Sequence, residues 1–173
     1  RVLKIKYQSF GSAEVKNWTL HPHYLKQFNN RWFLLGKNPD FETVSNLALD
    51  RIVSFEEVDL PFVDTHIDFE MYFEDILGVT VPLEAELTKI TLRASPRLAH
   101  FIQAKPIHGS QKQLSEDVEG CVFSIEVLPN YELEKHLLSF GEALEVLEPL
   151  FFREQLRKKI ATLARMYSNS PTA

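Results

Sequence analysis

The 173-residue sequence predicts an α+β chain in two parts: a small β-barrel, then a βαββαβ domain with a closing helix. Three observations carry that prediction. Short runs of β-favouring residues, separated by turn residues, crowd the first third of the chain. After residue 53 strand patterns and helix patterns take turns. A hydrophobic content of 45% over this length is enough for a real core and for two small domains.

In chain order, residues 2–8 alternate well enough for a strand, and Gly11-Ser12 supplies a turn. Residues 15–20 read as a second strand. Pro22 lacks a ladder donor and disfavours helix in His21, which predicts an extended bend. Residues 24–28 resume the strand, Asn29-Asn30 suits a tight turn with positive φ, and Arg31-Trp32-Phe33-Leu34-Leu35-Gly36 returns as the hairpin partner. Its apolar run predicts burial on much of both faces, with Trp32 in the core and Phe33 on the opposite face. Residues 45–49 give a further strand that ends at Asp50-Arg51-Ile52. Strands this short and this close suggest a barrel of the SH3 or Sm kind.

Residues 56–61 read as a connector, and residues 68–77 as a helix capped by Asp68, with Phe69, Tyr72, Phe73 and Ile76 on one face. Residues 85–92 are a strand, Ser95-Pro96 opens a helix through Ala104, and Ile107 lies on a short strand. Residues 121–127 form another strand, and Asn130 caps a helix over 131–140 with Leu133 and Leu137 inward. Residues 143–147 make the last strand. That order is the signature of a ferredoxin-like fold. A helix over 150–167, carrying Phe151, Leu156, Ile160, Leu163 and Ala164 at helical spacing, docks on this sheet or on another subunit. The tail 168–173 reads as disordered. The expected divisions are a barrel at 1–60, a helical linker at 61–82, the ferredoxin-like domain at 83–148 and a helix with tail at 149–173.

Composition excludes several classes. Cys121 is the single cysteine, which rules out an internal disulfide and a cysteine-rich zinc site and points to a reducing, cytoplasmic setting. No apolar run approaches membrane-spanning length, and no signal-peptide pattern opens the chain. The chain lacks an initiating methionine and starts inside a strand pattern, so it reads as a fragment with something attached upstream. His21, His23, His66, His100, His108 and His136 show no metalloprotease spacing, and no nucleophile elbow, P-loop or dinucleotide glycine pattern occurs. The expectation is therefore no enzyme, no metal and no cofactor. The net charge of −5 hides an asymmetry: residues 1–52 hold eight Lys/Arg against four Asp/Glu, and the remainder 11 against 20. A basic first part attracts phosphate groups while an acidic second part favours solubility.

Arg31 and Arg51 sit at the margins of the predicted barrel core. A guanidinium does not shed its proton, so both need carboxylates, water or an anionic ligand. Bidentate phosphate recognition and a salt bridge to Asp50 or Asp40 are the two readings. His21 either donates to a phosphate or base, or satisfies a backbone carbonyl at the Pro22 bend. Lys26 adjoins the hairpin turn next to Arg31. A second polar cluster, Lys105, His108, Ser110, Gln111 and Lys112, either lines a cleft between the domains or is an ordinary polar loop.

Arg31-Trp32-Phe33-Leu34, with His21-Pro22 and Leu25 upstream and Asp50-Arg51-Ile52 downstream, resembles the WYL domain, an Sm-like barrel named for a Trp-Tyr-Leu triplet. Phenylalanine stands here in place of the tyrosine. The second part, with Tyr72-Phe73, Ile76-Leu77-Gly78-Val79, the stretch from Lys105 to Gln111, and Pro129-Asn130-Tyr131-Glu132-Leu133, resembles the WCX extension of bacterial transcriptional regulators. The resemblance implies a ligand-sensing module placed after a winged helix-turn-helix that binds DNA, a helix pair not found in this chain. It implies a nucleic acid or nucleotide-like effector in a basic pocket on the barrel, and homodimers. The matching positions are His21, Lys26, Arg31, Phe33 and Arg51, with Tyr7 as a nearby stacking candidate. A missing hydroxyl at Phe33 removes one donor and acceptor, which weakens any ligand that depends on it. Two readings follow: an effector-sensing, dimerising region of a regulator, and a structural dimerisation module whose arginines are internal salt bridges.

Overall fold

A computed structural model of the chain describes residues 1–168. The described residues form a mixed α+β fold, with two antiparallel sheets, four α-helices and two compact units that divide between Phe73 and Glu74.

In the first unit, β1 (Val2–Gln8), β2 (Val15–Phe28), β3 (Arg31–Lys37), β4 (Val44–Ala48) and β5 (Ile52–Val58) form an open sheet in the order β4-β3-β2-β1-β5. A single 3-10 turn, Leu49–Arg51, joins the two edge strands. The two strands expected around His21-Pro22 are one strand of 14 residues. Its first half pairs with β1 as far as Leu20, and its second half pairs with β3. The register slips between Pro22 and Tyr24, and such a bulge tolerates a proline where the ladder is interrupted. It also presses the His21 carbonyl against β3, so that a Cβ at Gly36 would run into that oxygen. Asn29 and Asn30 take φ of 48° and 60°, as the tight hairpin requires.

Two expectations are corrected here. Residues 52–58 include a strand paired to β1 along its length, not only a connector; Val53 to Glu57 are exposed, so no apolar alternation marks it. Trp32 is not core but 48% exposed. Leu34, on the same side of β3, packs with Ile5, Tyr7, Leu20 and Leu47, whereas Trp32 pairs with Gln27 beside the hairpin turn, past the last residue of β2 that β1 covers.

The chain then runs without regular structure to α1 (Phe69–Tyr72), where the Asp68 carboxylate accepts from the amides of Glu70 at 2.9 Å and Met71 at 3.3 Å. This helix is one turn, not the ten residues expected. The segment that follows, at 77–80, is held by side chains from further along the chain rather than by helical hydrogen bonds of its own. In the second unit the Glu132 carboxylate accepts from the amides of Val79 and Thr80, and Asn130 Nδ2 donates to the carbonyls of Leu77 and Thr80.

The second unit follows the order β6 (Thr88–Ala94), α2 (Pro96–Ala104), β7 (Lys112–Asp117), β8 (Gly120–Val127), α3 (Tyr131–Leu138), β9 (Leu144–Glu148), α4 (Leu150–Ser168). Its sheet has the order β7-β8-β6-β9, with every pair antiparallel. Ser95 and Asn130 cap α2 and α3 as the sequence suggests. Ile90, Leu92, Ile125, Val127 and Leu133 fill the core, and Phe152 and Leu156 of α4 close it. The expected stripe on α4 is therefore displaced: Phe152, not Phe151, is buried, and Ile160 and Leu163 are half exposed. Buried Glu134 on α3 holds Gln155 and Lys159 of α4. The strand expected at Ile107 lies further on, at Lys112–Asp117, where all six residues are exposed; Ile107 is a buried loop residue. Ser168 ends α4, and the rest of the tail expected to be disordered, 169–173, lies outside the described residues. No described helix is long and apolar enough to cross a membrane.

Candidate functional site

Register decides which side chains of the β2–β3 hairpin meet. Lys26 pairs with Phe33, and Phe28 with Arg31, so alternation puts Lys26, Arg31 and Phe33 on one face. The Arg31 guanidinium forms a fork with Asp50, Nε to Oδ2 at 3.0 Å and Nη2 to Oδ1 at 2.8 Å. It also lies 5.6 Å from the Phe33 ring and 5.4 Å from the Phe10 ring. Asp50 stands on the 3-10 turn, and the hydrogen bond from Arg31 holds its carboxyl below the usual carboxylate range. Arg51, the next residue, is placed differently. Its guanidinium covers the Phe10 ring at 3.8 Å, and its Nε is buried with no hydrogen-bond partner among the described residues. Phe10 is 73% exposed, in the turn between β1 and β2. Two cations thus share one phenyl ring, with the Asp50 carboxylate forked on Arg31 and its charge felt by Arg51 as well. An open hollow of about 480 Å³, lined by Leu49, Ile52, Val53, Ser54 and Phe55, adjoins the same 3-10 turn.

Lys26 carries its ammonium 3.9 Å over the Phe73 ring, and burial lowers its pKa. Tyr7 and His21 serve the fold. Tyr7 is 6% exposed, and its hydroxyl accepts the Ala48 amide at 3.3 Å. His21 is 4% exposed, and its Nδ1 accepts the Val63 amide at 3.1 Å. Burial, then the charges of His23 and the amino terminus, push the His21 imidazole below its ordinary pKa.

The WYL domain family model matches residues 1–57, and the WCX domain family model matches residues 86–164. The chain carries a WYL domain followed by a WCX domain. Among solved structures it is similar to proteasome accessory factor B/C (PafBC) of Arthrobacter aurescens, at 17% identity over 98% of this chain and 25% of that one, with a TM-score of 0.41. It is also similar to a CRISPR Cas-related protein, at 11% identity over 96% of this chain and 48% of that one, with a TM-score of 0.55, which is a likeness of fold. The chain therefore spans about a quarter and about half of those two proteins. No curated protein matches it.

In the WYL domain, then, Lys26, Arg31 and Phe33 share a face and Arg51 joins Arg31 across Phe10, while Tyr7 lies in the core and His21 beside the bulge. Sequence reasoning missed Phe10 and Phe73. The signal for Phe10 was present, since a lone aromatic amid Ser9, Gly11 and Ser12 has no strand to bury it. The second polar cluster belongs to the WCX domain and ties a loop to its own unit. His108 donates from Nε2 to the Glu74 carbonyl at 2.8 Å and accepts the Ser110 amide at Nδ1 at 3.2 Å. The Ser110 hydroxyl in turn donates to the Glu126 carbonyl, while Gln111 accepts from the Ile107 amide and donates to the Ile102 carbonyl. Lys105 ends α2 and Lys112 begins β7, both exposed. Among the described residues no group of His, Cys, Asp and Glu is arranged to hold a metal ion.

Proposed function

We propose that this chain is the effector-sensing and dimerising region of a bacterial transcriptional regulator, and that its WYL domain binds single-stranded nucleic acid or a nucleotide. We read the first sheet as an Sm-like barrel open between β4 and β5, and the WCX domain as ferredoxin-like, on the strength of its strand order. The observation that carries the ligand reading is Arg51: a guanidinium spread on an exposed ring, with a buried Nε that no described group accepts from. Nε itself is sealed from solvent, so a phosphate approaches the outer nitrogens of this part-exposed guanidinium, and guanidinium recognition of phosphate is bidentate and directional. Arg31 is already engaged, but an ion pair this exposed is worth only about 0.2–1 kcal/mol, so a phosphate displaces Asp50 at small cost. Phe10 and Phe33 offer ring faces on which a base stacks. The site binds and performs no chemistry, and its occupancy biases an upstream DNA-binding domain through stronger contacts in one arrangement than in another.

The Arg31–Asp50 fork favours the alternative, a structural dimerisation module with no ligand. Fluorescence anisotropy with a labelled single-stranded oligonucleotide separates the two. In the sensor, Arg31→Ala with Arg51→Ala keeps the melting temperature and loses binding; in the scaffold, the parent never binds and the double variant melts early.

A further inference from the structure

Residues 62–73 run beside the second half of β2, from His21 to Lys26, and are held there at both ends. At the first end the Phe62 ring lies against His21 and His23, at 5.7 Å and 4.9 Å between centroids. The Val63 amide donates to His21 Nδ1 and the Thr65 amide donates to His23 Nε2, each at 3.1 Å. His23 Nδ1 lies 2.6 Å from the His21 carbonyl and donates to it, which leaves Nε2 as the acceptor. At the other end Phe69 stacks on Tyr24 at 5.0 Å, and the Phe73 ring lies over the Lys26 ammonium. We propose that this strap is a lid on Lys26, pinned by the acceptor nitrogens of His21 and His23 and released when acid protonates His21.

The chemistry of the pins is the reason. Only an unprotonated ring nitrogen accepts a backbone amide, so a proton on either acceptor sets N–H against N–H. The charged groups that face the pair are few. Asp64 of the strap lies 3.6 Å from His23 Nε2, and His66 lies 3.6 Å from the other Asp64 oxygen. Lys37 of β3 is the cross-strand neighbour of His21, its ammonium tied to the carbonyls of Phe41 and Glu42, and the amino terminus adds a further positive charge. From α1 the strap presents rings to β2. Burial, then the charges of His23 and the amino terminus, hold His21 below its ordinary pKa in the closed arrangement, so closure is fully present above about pH 6.5 and weakens as acid protonates the ring.

Hydrogen exchange of the whole chain tests the lid, read as protection of the Val63 and Thr65 amides so that intrinsic rates cancel, with β8 amides as the internal reference. Between pH 7.5 and 5.5 protection at these two amides should fall progressively below about pH 6.5 while β8 holds. His21→Asn with His23→Gln keeps a side-chain acceptor at each place without the titration, and its protection should stay flat. A flat wild-type profile overturns the proposal, as does an equal slope in the variant. Should the variant not fold, the wild-type profile against β8 decides alone. The gating of Lys26 rests on the ligand reading above and has its own measurement. Oligonucleotide affinity should rise below about pH 6.5 in wild type beyond its rise in the variant, and equal rises overturn the lid. No binding at any pH overturns the ligand reading and leaves strap release to the exchange data.

Discussion

Asp50 is the residue on which the two readings divide, because it neutralises one of two neighbouring guanidinium groups. Asp50→Asn removes a negative charge beside both arginines and loosens the fork on Arg31. In the sensor reading, oligonucleotide affinity rises several-fold by anisotropy; in the scaffold reading, binding is absent and only stability changes. The hydrogen bond from Arg31 lowers the Asp50 pKa, so its contribution to stability is present above the ordinary carboxylate range and is lost as acid protonates it. Tyr7→Phe makes the opposite case. It deletes the acceptor of the buried Ala48 amide, which should cost about 1–3 kcal/mol in urea denaturation and leave ligand binding unchanged. The chemical character of Arg31, Arg51 and Lys26 was legible in the sequence. Their partners were not, because a 3-10 turn decides that Asp50 folds back on Arg31 while Arg51 turns to Phe10.

Elements were legible where local chemistry announces them. Ser95-Pro96, Asn130 and Asn29-Asn30 mark two helix starts and a hairpin, and the structure has all three. The strand β5 went unread and β7 was placed too early, at Ile107, because pairing, not apolar pattern, defines them. Length was misjudged after Asp68, where the helix stops after one turn, and Asn130 and Glu132 instead tie down the chain at 77–80. Asn130→Ala should therefore cost more than a cap. It loses the bond to the Leu133 amide and strands the carbonyls of Leu77 and Thr80, for about 2 kcal/mol or more by chemical denaturation. Gly36→Ala should be severe for another reason. The added methyl meets a backbone oxygen of the neighbouring strand, so the β2 bulge must shift, and a loss of about 2–3 kcal/mol with weakened protection at Val63 is the expected result.

For the molecule as a whole, charge and layout tell one story. The positive surplus of residues 1–52 lies in the WYL domain, and the WCX domain lies in the acidic remainder. If Lys26, Arg31 and Arg51 each meet a phosphate, a plot of log affinity against log salt should slope at about −2 for a single strand, and lose about 0.7 with each cation removed. A slope near zero would leave the cations without a role in binding. The outer rim of the WCX sheet answers a different demand. Uncovered strands invite passing chains to pair with them, and fibrils begin that way. Lys112, Glu116 and Asp117, with a register slip at Leu114, make this border a poor template. The polarity that hid β7 from pattern reading is thus what lets the sheet stand with one side bare and still refuse strangers.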